Sequence, residues 1–373
     1  MFELIYVILA FLLSVALARI IIPRIIFISL QKKLFDLPDP RKVHKKAVPR
    51  LGGVSFFPAA LFSFSMTLCI FLYIDPDKTI SYESFLLREM LWLICGMTLL
   101  YLTGIADDLV GVRYRQKFVI QILSACFIVL SGVWINNLYG LFGIHEIPAW
   151  VGMPLTVITI VYITNAINLI DGIDGLASGM SSVALVFFAL LFASKGLWSY
   201  SVLAVAMFGV LVPFFYYNVF GTVETDRKVF MGDTGSLTLG YMLSFLAIKF
   251  CQVNPEMMPY TEGAFVIAFS TLIVPCFDVI RVVFVRVRNG KNPFEPDRNH
   301  IHHKMLALGL TPRQAMVSLL CMSAAFSVSN ILLMPYIPNT IMLIADVAIW
   351  IGLHLYWDNI LKHSGKGGMV KAD

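Results

Sequence analysis

Two aspartates in a glycine-bearing turn are the most chemically loaded feature of this chain. The stretch Thr164–Gly175 reads TNAINLIDGIDG and follows an apolar run from Met153 to Ile163, so Asp171 and Asp174 stand at the mouth of a predicted membrane span. Carboxylates at such a place are costly unless a cation or a polar substrate meets them. Their spacing of three predicts a shared face of one helical turn. Gly172 and Gly175 allow backbone or ligand to come close. Both acids could instead cap the helix that follows, but one would suffice for that.

Three more clusters have the same character. GIADDLVGVRYRQK (Gly104–Lys117) closes an apolar run with adjacent Asp107 and Asp108. Carboxylates at a helix C-terminus oppose its dipole, which costs stability unless a metal or cation is bound. NVFGTVETDRKVFMGDTGS (Asn218–Ser236) sets Asp233 between glycines, either as an N-cap or as a hard-oxygen ligand beside free backbone N–H groups. RVRNGKNPFEPDRNHIHHKMLALGLTPRQ (Arg286–Gln314) contributes His300, His302 and His303. No Cys or Glu pattern completes a zinc site around them, and imidazole and arginine donors facing a diphosphate fit better. Asp278 and Arg281, three apart, form a pair or extend that basic wall. A fourth basic segment, LPDPRKVHKKAVPRLGG (Leu37–Gly53), suits anionic headgroups at about 1 kcal/mol per basic residue. Pro49 and Gly52-Gly53 add a backbone held close to a neighbour or ligand.

The elements that must position these residues are membrane helices. With 58% hydrophobic and 14% charged residues, the chain is a polytopic all-α membrane protein of one domain (1–373). Apolar runs predict about eleven spans, near 4–22, 51–73, 90–106, 117–135, 153–170, 176–194, 199–217, 236–252, 264–285, 314–334 and 339–357. The eighth has the shortest apolar part, and Lys249 extends it by snorkelling. The first run carries Glu3 and no basic leader, so it reads as a retained span and not a signal peptide. Thr311, Pro312 and Gln314 make a capping set that starts the tenth span. The connections on one side hold 22 of the 28 Lys and Arg residues, which puts that side in the cytoplasm, the N-terminus outside and the C-terminus inside. Every polar cluster above falls on that side. The basic pI is thereby explained without nucleic acid, and six scattered cysteines suggest packing, with no disulfide framework.

Carboxylates meeting a basic, histidine-rich wall at one membrane face suit a divalent metal and a phosphorylated substrate. Asp and Asn oxygens favour Mg²⁺, or Mn²⁺. Metal and basic side chains would neutralise a diphosphate under attack, and the membrane setting makes a lipid the attacking group.

Five motifs in order, PRLGG, GIADDLVG, NAINLIDGIDG, VFMGDTGS and HIHH, make the chain from about Lys46 to His303 resemble the polyprenyl-phosphate N-acetylhexosamine-1-phosphate transferase family (glycosyltransferase family 4). HIHH resembles the N-acetylglucosamine branch, whereas the phospho-N-acetylmuramoyl-pentapeptide transferases usually carry three consecutive histidines. The resemblance implies transfer of a sugar 1-phosphate from a UDP-sugar to undecaprenyl phosphate, with UMP released and Mg²⁺ required, in the bacterial inner membrane. It implies Asp233 and Asn168 as metal ligands, with Asp171 and Asp174 shaping the metal and nucleotide site. It further implies Asp107 or Asp108 at the lipid phosphate, and Lys46, His300, His302 and His303 on phosphates. The muramoyl-pentapeptide substrate and a UDP-N-acetylfucosamine-type sugar are the alternatives within the family. A transporter or flippase is the alternative class, though its acids would stand near mid-membrane, often with internal repeats. The sugar, the polymer, a one-step or covalent path and the oligomeric state, a homodimer included, stay open.

Overall fold

The structure is a computed structural model that describes residues 2–36, 48–74, 83–255, 258, 260–290, 292 and 299–363. Its long helices are α1 (Phe2–Gln31), α2 (Phe56–Ile74), α3 (Glu83–Val110), α4 (Tyr114–Leu130), α5 (Ala149–Ile170), α6 (Leu176–Ser194), α7 (Trp198–Phe215) and α8 (Gly232–Cys251). After them come the short α9 (Ala264–Ser270), α10 (Ile273–Arg288), the short α11 (Ile301–Ala307), α12 (Pro312–Leu333) and α13 (Asn339–His363). Among the described residues nine helices are long and apolar enough to cross a membrane, or ten if α9 and α10, bent by 79° at their junction, count as one. All eleven predicted segments overlap helices, although the fourth, 117–135, runs past the end of α4 at Leu130. The fourth, α4, is a 17-residue helix at the short limit for a span. It ends at Ser131-Gly132, where Gly132 has φ +92°, and the chain turns into a hairpin of β1 (Asn137–Leu141) and β2 (Ile144–Glu146).

The arrangement is built around α8, every residue of which from Thr234 to Cys251 is buried. Close approach at its first turn is possible because two glycines face it. A Cβ on Gly53 would lie 2.2 Å from Gly235 N, and one on Gly104 would lie 2.3 Å from Thr234 Cα. Gly52 N–H donates to Phe230 O at 3.0 Å, Gly53 N–H to Met231 O at 2.9 Å, and Phe230 N–H to Pro49 O at 2.8 Å. The expected close backbone neighbour of PRLGG is therefore the Val229–Met231 segment leading into α8.

At the far end of α8 the expectation for Lys249 is overturned. Its ammonium does not snorkel outward; it is fully buried and donates to Glu89 Oε1 at 2.7 Å, while the Tyr200 hydroxyl donates to Glu89 Oε2. Because α8 is enclosed by protein, no lipid interface lies within reach of that side chain. The Thr311 capping box forms as predicted, with the Thr311 side chain accepting from Gln314 N–H.

Candidate active site

The loop between α5 and α6 carries the first two acids. Asp171 is the C-cap of α5, with φ −74° and ψ 51°, and Gly175, at φ +77°, is the N-cap of α6. Residues 171–175 are thus a tight turn, and the expected helical face is corrected. Gly175 needs left-handed backbone, which breaks the helical path between the two acids. Its N–H donates to Asn218 Oδ1 at 2.6 Å. Both aspartates nevertheless line one cavity of about 240 Å³, together with Arg50, Asn168, Asn218 and Asp233.

Asp233 stands in the first turn of α8 and accepts from Lys117 Nζ at 2.6 Å and from Asn168 Nδ2 at 3.2 Å. Asn168 Nδ2 also donates to Ser236 Oγ at 2.8 Å, so its amide oxygen is left as an acceptor on the cavity wall. Asp107 shares the same ammonium, 2.8 Å from Lys117 Nζ, and accepts from Val112 N–H at 2.6 Å. Asp174 is paired with Lys228 Nζ at 2.6 Å, and that ammonium also donates to Asn218 O at 2.5 Å. Three acids and their cations, distant in sequence, therefore meet at one end of the bundle.

Asp108 does different work from its neighbour. Its carboxylate accepts from Asp233 N–H at 2.8 Å, Thr234 N–H at 3.0 Å and Thr234 Oγ1 at 2.6 Å. It caps α8 from the end of α3, so the C-terminal acid of one helix satisfies the orphan amides of another. Asp171 has its carboxyl pushed up to about 7, first by burial among protein atoms and then by the charges of Asp233 and Asp174. Its surface is still open to the cavity, so solvent moderates that shift.

The histidines lie on the other side of the 171–175 turn. His300 Nδ1 is 2.8 Å from Asp278 Oδ2, and Asp278 also accepts from Ile301 N–H at 2.9 Å and Arg281 at 3.1 Å. Asp278 and Arg281 are a structural pair. His302 packs beneath Gly172, where a Cβ would fall 2.1 Å from its Nε2. Burial, followed by repulsion from His303 and His300, drives its pKa down to about 3. None of the three imidazoles is among the cavity's lining residues, and Lys46 lies outside the described residues.

Lys117, Lys228, Arg50 and Asn218 complete the site without having been singled out in the sequence. The lysines and Arg50 are legible there only as positive charges on one side. Ten residues separate Lys117 from Asp107, a spacing that no helical period marks.

Among the described residues no group of three His, Cys, Asp or Glu side chains stands ready to hold a metal ion. The donor chemistry still fits a hard divalent cation. Asp107 and Asp233 converge on one ammonium, which already stands as a cation in their gap, and the adjacent donors are all oxygens or amides.

Fold and site together define a polytopic membrane protein with a phosphate-suited, acid-rich cavity at one end of its helical bundle. Residues 90–251 match the model of glycosyl transferase family 4. The chain is 32% identical over 332 residues (89% of this chain, 86% of the relative) to the probable undecaprenyl-phosphate N-acetylglucosaminyl 1-phosphate transferase of Bacillus subtilis. It is 29% identical over 308 residues (80% and 78%) to the undecaprenyl-phosphate alpha-N-acetylglucosaminyl 1-phosphate transferase of Salmonella typhi. To the protein of that name in Escherichia coli K12 it is 27% identical over 316 residues (83% and 80%). The chain belongs to glycosyl transferase family 4, on the branch of these relatives.

Proposed function

We propose that this chain transfers N-acetylglucosamine 1-phosphate from UDP-N-acetylglucosamine to undecaprenyl phosphate, giving the lipid diphosphate sugar and UMP. The observation that carries the reading is the gathering of Asp107, Asp171, Asp174 and Asp233 with Lys117, Lys228 and Arg50 at one end of a chain similar over 89% of its length to a transferase of that name. An oxygen of the lipid phosphate bonds to the phosphorus that bears the sugar, and the bond from that phosphorus to the UMP phosphate breaks. A phosphate monoester has its second pKa near ~6, so the nucleophile is already largely ionised at neutral pH. No strong base is required, and Asp107, with Lys117, positions the lipid phosphate. Lys117 and Arg50 offset charge on the diphosphate, and Asp174, held by Lys228, shapes the nucleotide end. A bound Mg²⁺ would be held by Asp233 and the Asn168 amide oxygen, with Asp171 beside them, and would offset charge on the phosphate oxygens. The excess of basic residues on the site's side supports a cytoplasmic site in a bacterial inner membrane.

Exchange of radiolabelled UMP into UDP-N-acetylglucosamine, in membranes supplied with undecaprenyl phosphate, tests the reading. Label incorporation that needs the lipid and Mg²⁺, and falls at least about a hundredfold in Asp233→Asn, is the expected outcome. Lipid-independent incorporation, or solute flux without exchange, overturns it.

A further inference from the structure

The histidine-bearing helix α11 has only seven residues, too few to hold its own shape in isolation. Two clamps outside the cavity fix it. One is Asp278 of α10, which accepts from the first N–H of α11, Ile301, and holds His300. The other comes from α13, beyond the segment that matches the family model. Lys304 of α11, 3% exposed, donates to Asp358 Oδ1 at 2.7 Å and to His354 O at 3.4 Å, with His354 Nδ1 at 3.1 Å. The His354 ring is in turn packed between Trp350 and Trp357, at centroid distances of 4.7 and 5.1 Å. A buried ammonium is expensive without partners, so these bonds to α13 set where α11 can lie.

What α11 sets is the turn that bears Asp171 and Asp174. His302 meets Gly172 with no room for a β-carbon between them, and its Nδ1 is buried without a hydrogen-bond partner. A shift of α11 is therefore transmitted to the turn by contact, with no polar bond to absorb it. We propose that Lys304, His354 and Asp358 are positioning residues: they form a strut from α13 that holds His302 against Gly172 and so tunes the affinity of the cavity for the nucleotide sugar. This rests on the transferase reading above for its ligand, though not for its mechanics.

Asp358→Asn and Lys304→Met in the full chain test the strut, because Asp358 has a side chain 46% exposed and its amide keeps the shape. The KM for UDP-N-acetylglucosamine is expected to rise about tenfold, within the roughly 2- to 30-fold range of coupling through a packed element. The KM for undecaprenyl phosphate should stay within about twofold, and Lys304→Arg should keep most of the native affinity. Amide hydrogen exchange at Gly172–Gly175 should speed up in Asp358→Asn, a readout that needs no activity. An unchanged KM for the nucleotide sugar together with unchanged exchange at the turn overturns the strut. So does a parallel change in both KM values. A native chain that transfers nothing strikes down the transferase reading, and exchange at the turn then decides the strut alone. If Lys304→Met does not fold, Asp358→Asn decides by both readouts.

Discussion

Asp107 and Asp108 are adjacent, yet their carboxylates belong to different problems. Asp107 shares Lys117 with Asp233, whereas Asp108 spends its acceptors on the first turn of α8. Asp108→Ala is expected to cost about 1–3 kcal/mol, since it orphans buried donors at the helix start, and to lower the melting temperature along with activity. Asp107→Asn keeps the Val112 N–H contact through its amide oxygen and should melt like the native chain while losing transfer. Melting curves in detergent beside the UMP exchange assay check both. Asp171 makes a separate claim on pH. Its folded pKa of about 7 stands above the ordinary 3.8, so between those values the folded chain holds a proton that the unfolded chain has lost. That contribution is complete below pH 3.8 and is lost as pH rises through about 7. The melting advantage of Asp171→Asn over the native chain, without divalent metal, should therefore widen from about pH 4 to 7 and then level off. A difference flat across that range would show that the cavity does not raise this acid. The acids themselves were legible from the sequence. Their division of labour was not, because it depends on which helix end arrives opposite which carboxylate.

At the scale of single elements, the apolar runs announced the helices and Thr311–Gln314 announced a start, because both signals are local. The 171–175 turn misled for the opposite reason. A spacing of three fits a helix, but Gly175 at φ +77° and the Asn218 side chain holding its N–H decide otherwise. Nothing in HIHH itself says that His302 lies under Gly172, 130 residues away in the chain. That contact can be tested without reference to the reaction. Gly172→Ala places a β-carbon against the His302 ring and should lose at least about 1–3 kcal/mol of stability through overpacking. The double variant Gly172→Ala/His302→Ala should recover part of that loss, with a coupling of about 0.5–3 kcal/mol. Additive losses in a thermal-melt cycle would mean that ring and turn do not bear on each other. His302 also carries its own pH signature. Its folded pKa near 3 lies below the usual 6.5, so its contribution to stability is present above pH 6.5 and is lost as pH falls toward 3.

In the whole molecule, the weakest of the predicted spans is the central one, and the two facts have one cause. Among the described residues, helix α8 has the lowest hydropathy of the candidate spans, 1.2, and is the only one whose window is wholly buried. A helix ringed by protein has no lipid to satisfy, so it can use Gly, Ser and Thr for close packing where its neighbours need Leu and Phe. It is also pinned at both ends by α3. Asp108 caps its first turn at the cavity, and Glu89 takes Lys249 in its last. The two helices run antiparallel between these pins, and Tyr241 reaches Ser124 O of α4 from the middle. The far pin is a buried ion pair, which stabilises little relative to apolar residues but is costly to break on one side. Glu89→Gln or Lys249→Met alone should lower stability by about 3–5 kcal/mol, with transfer falling in step because the first turn of α8 loses its register against Asp108. The double variant Glu89→Leu/Lys249→Met removes both charges and should recover most of the stability. If transfer returns with it, α8 needs a fixed position and no charge at its far end; if stability returns without transfer, the Glu89–Lys249 pair acts on the cavity through more than the placement of α8.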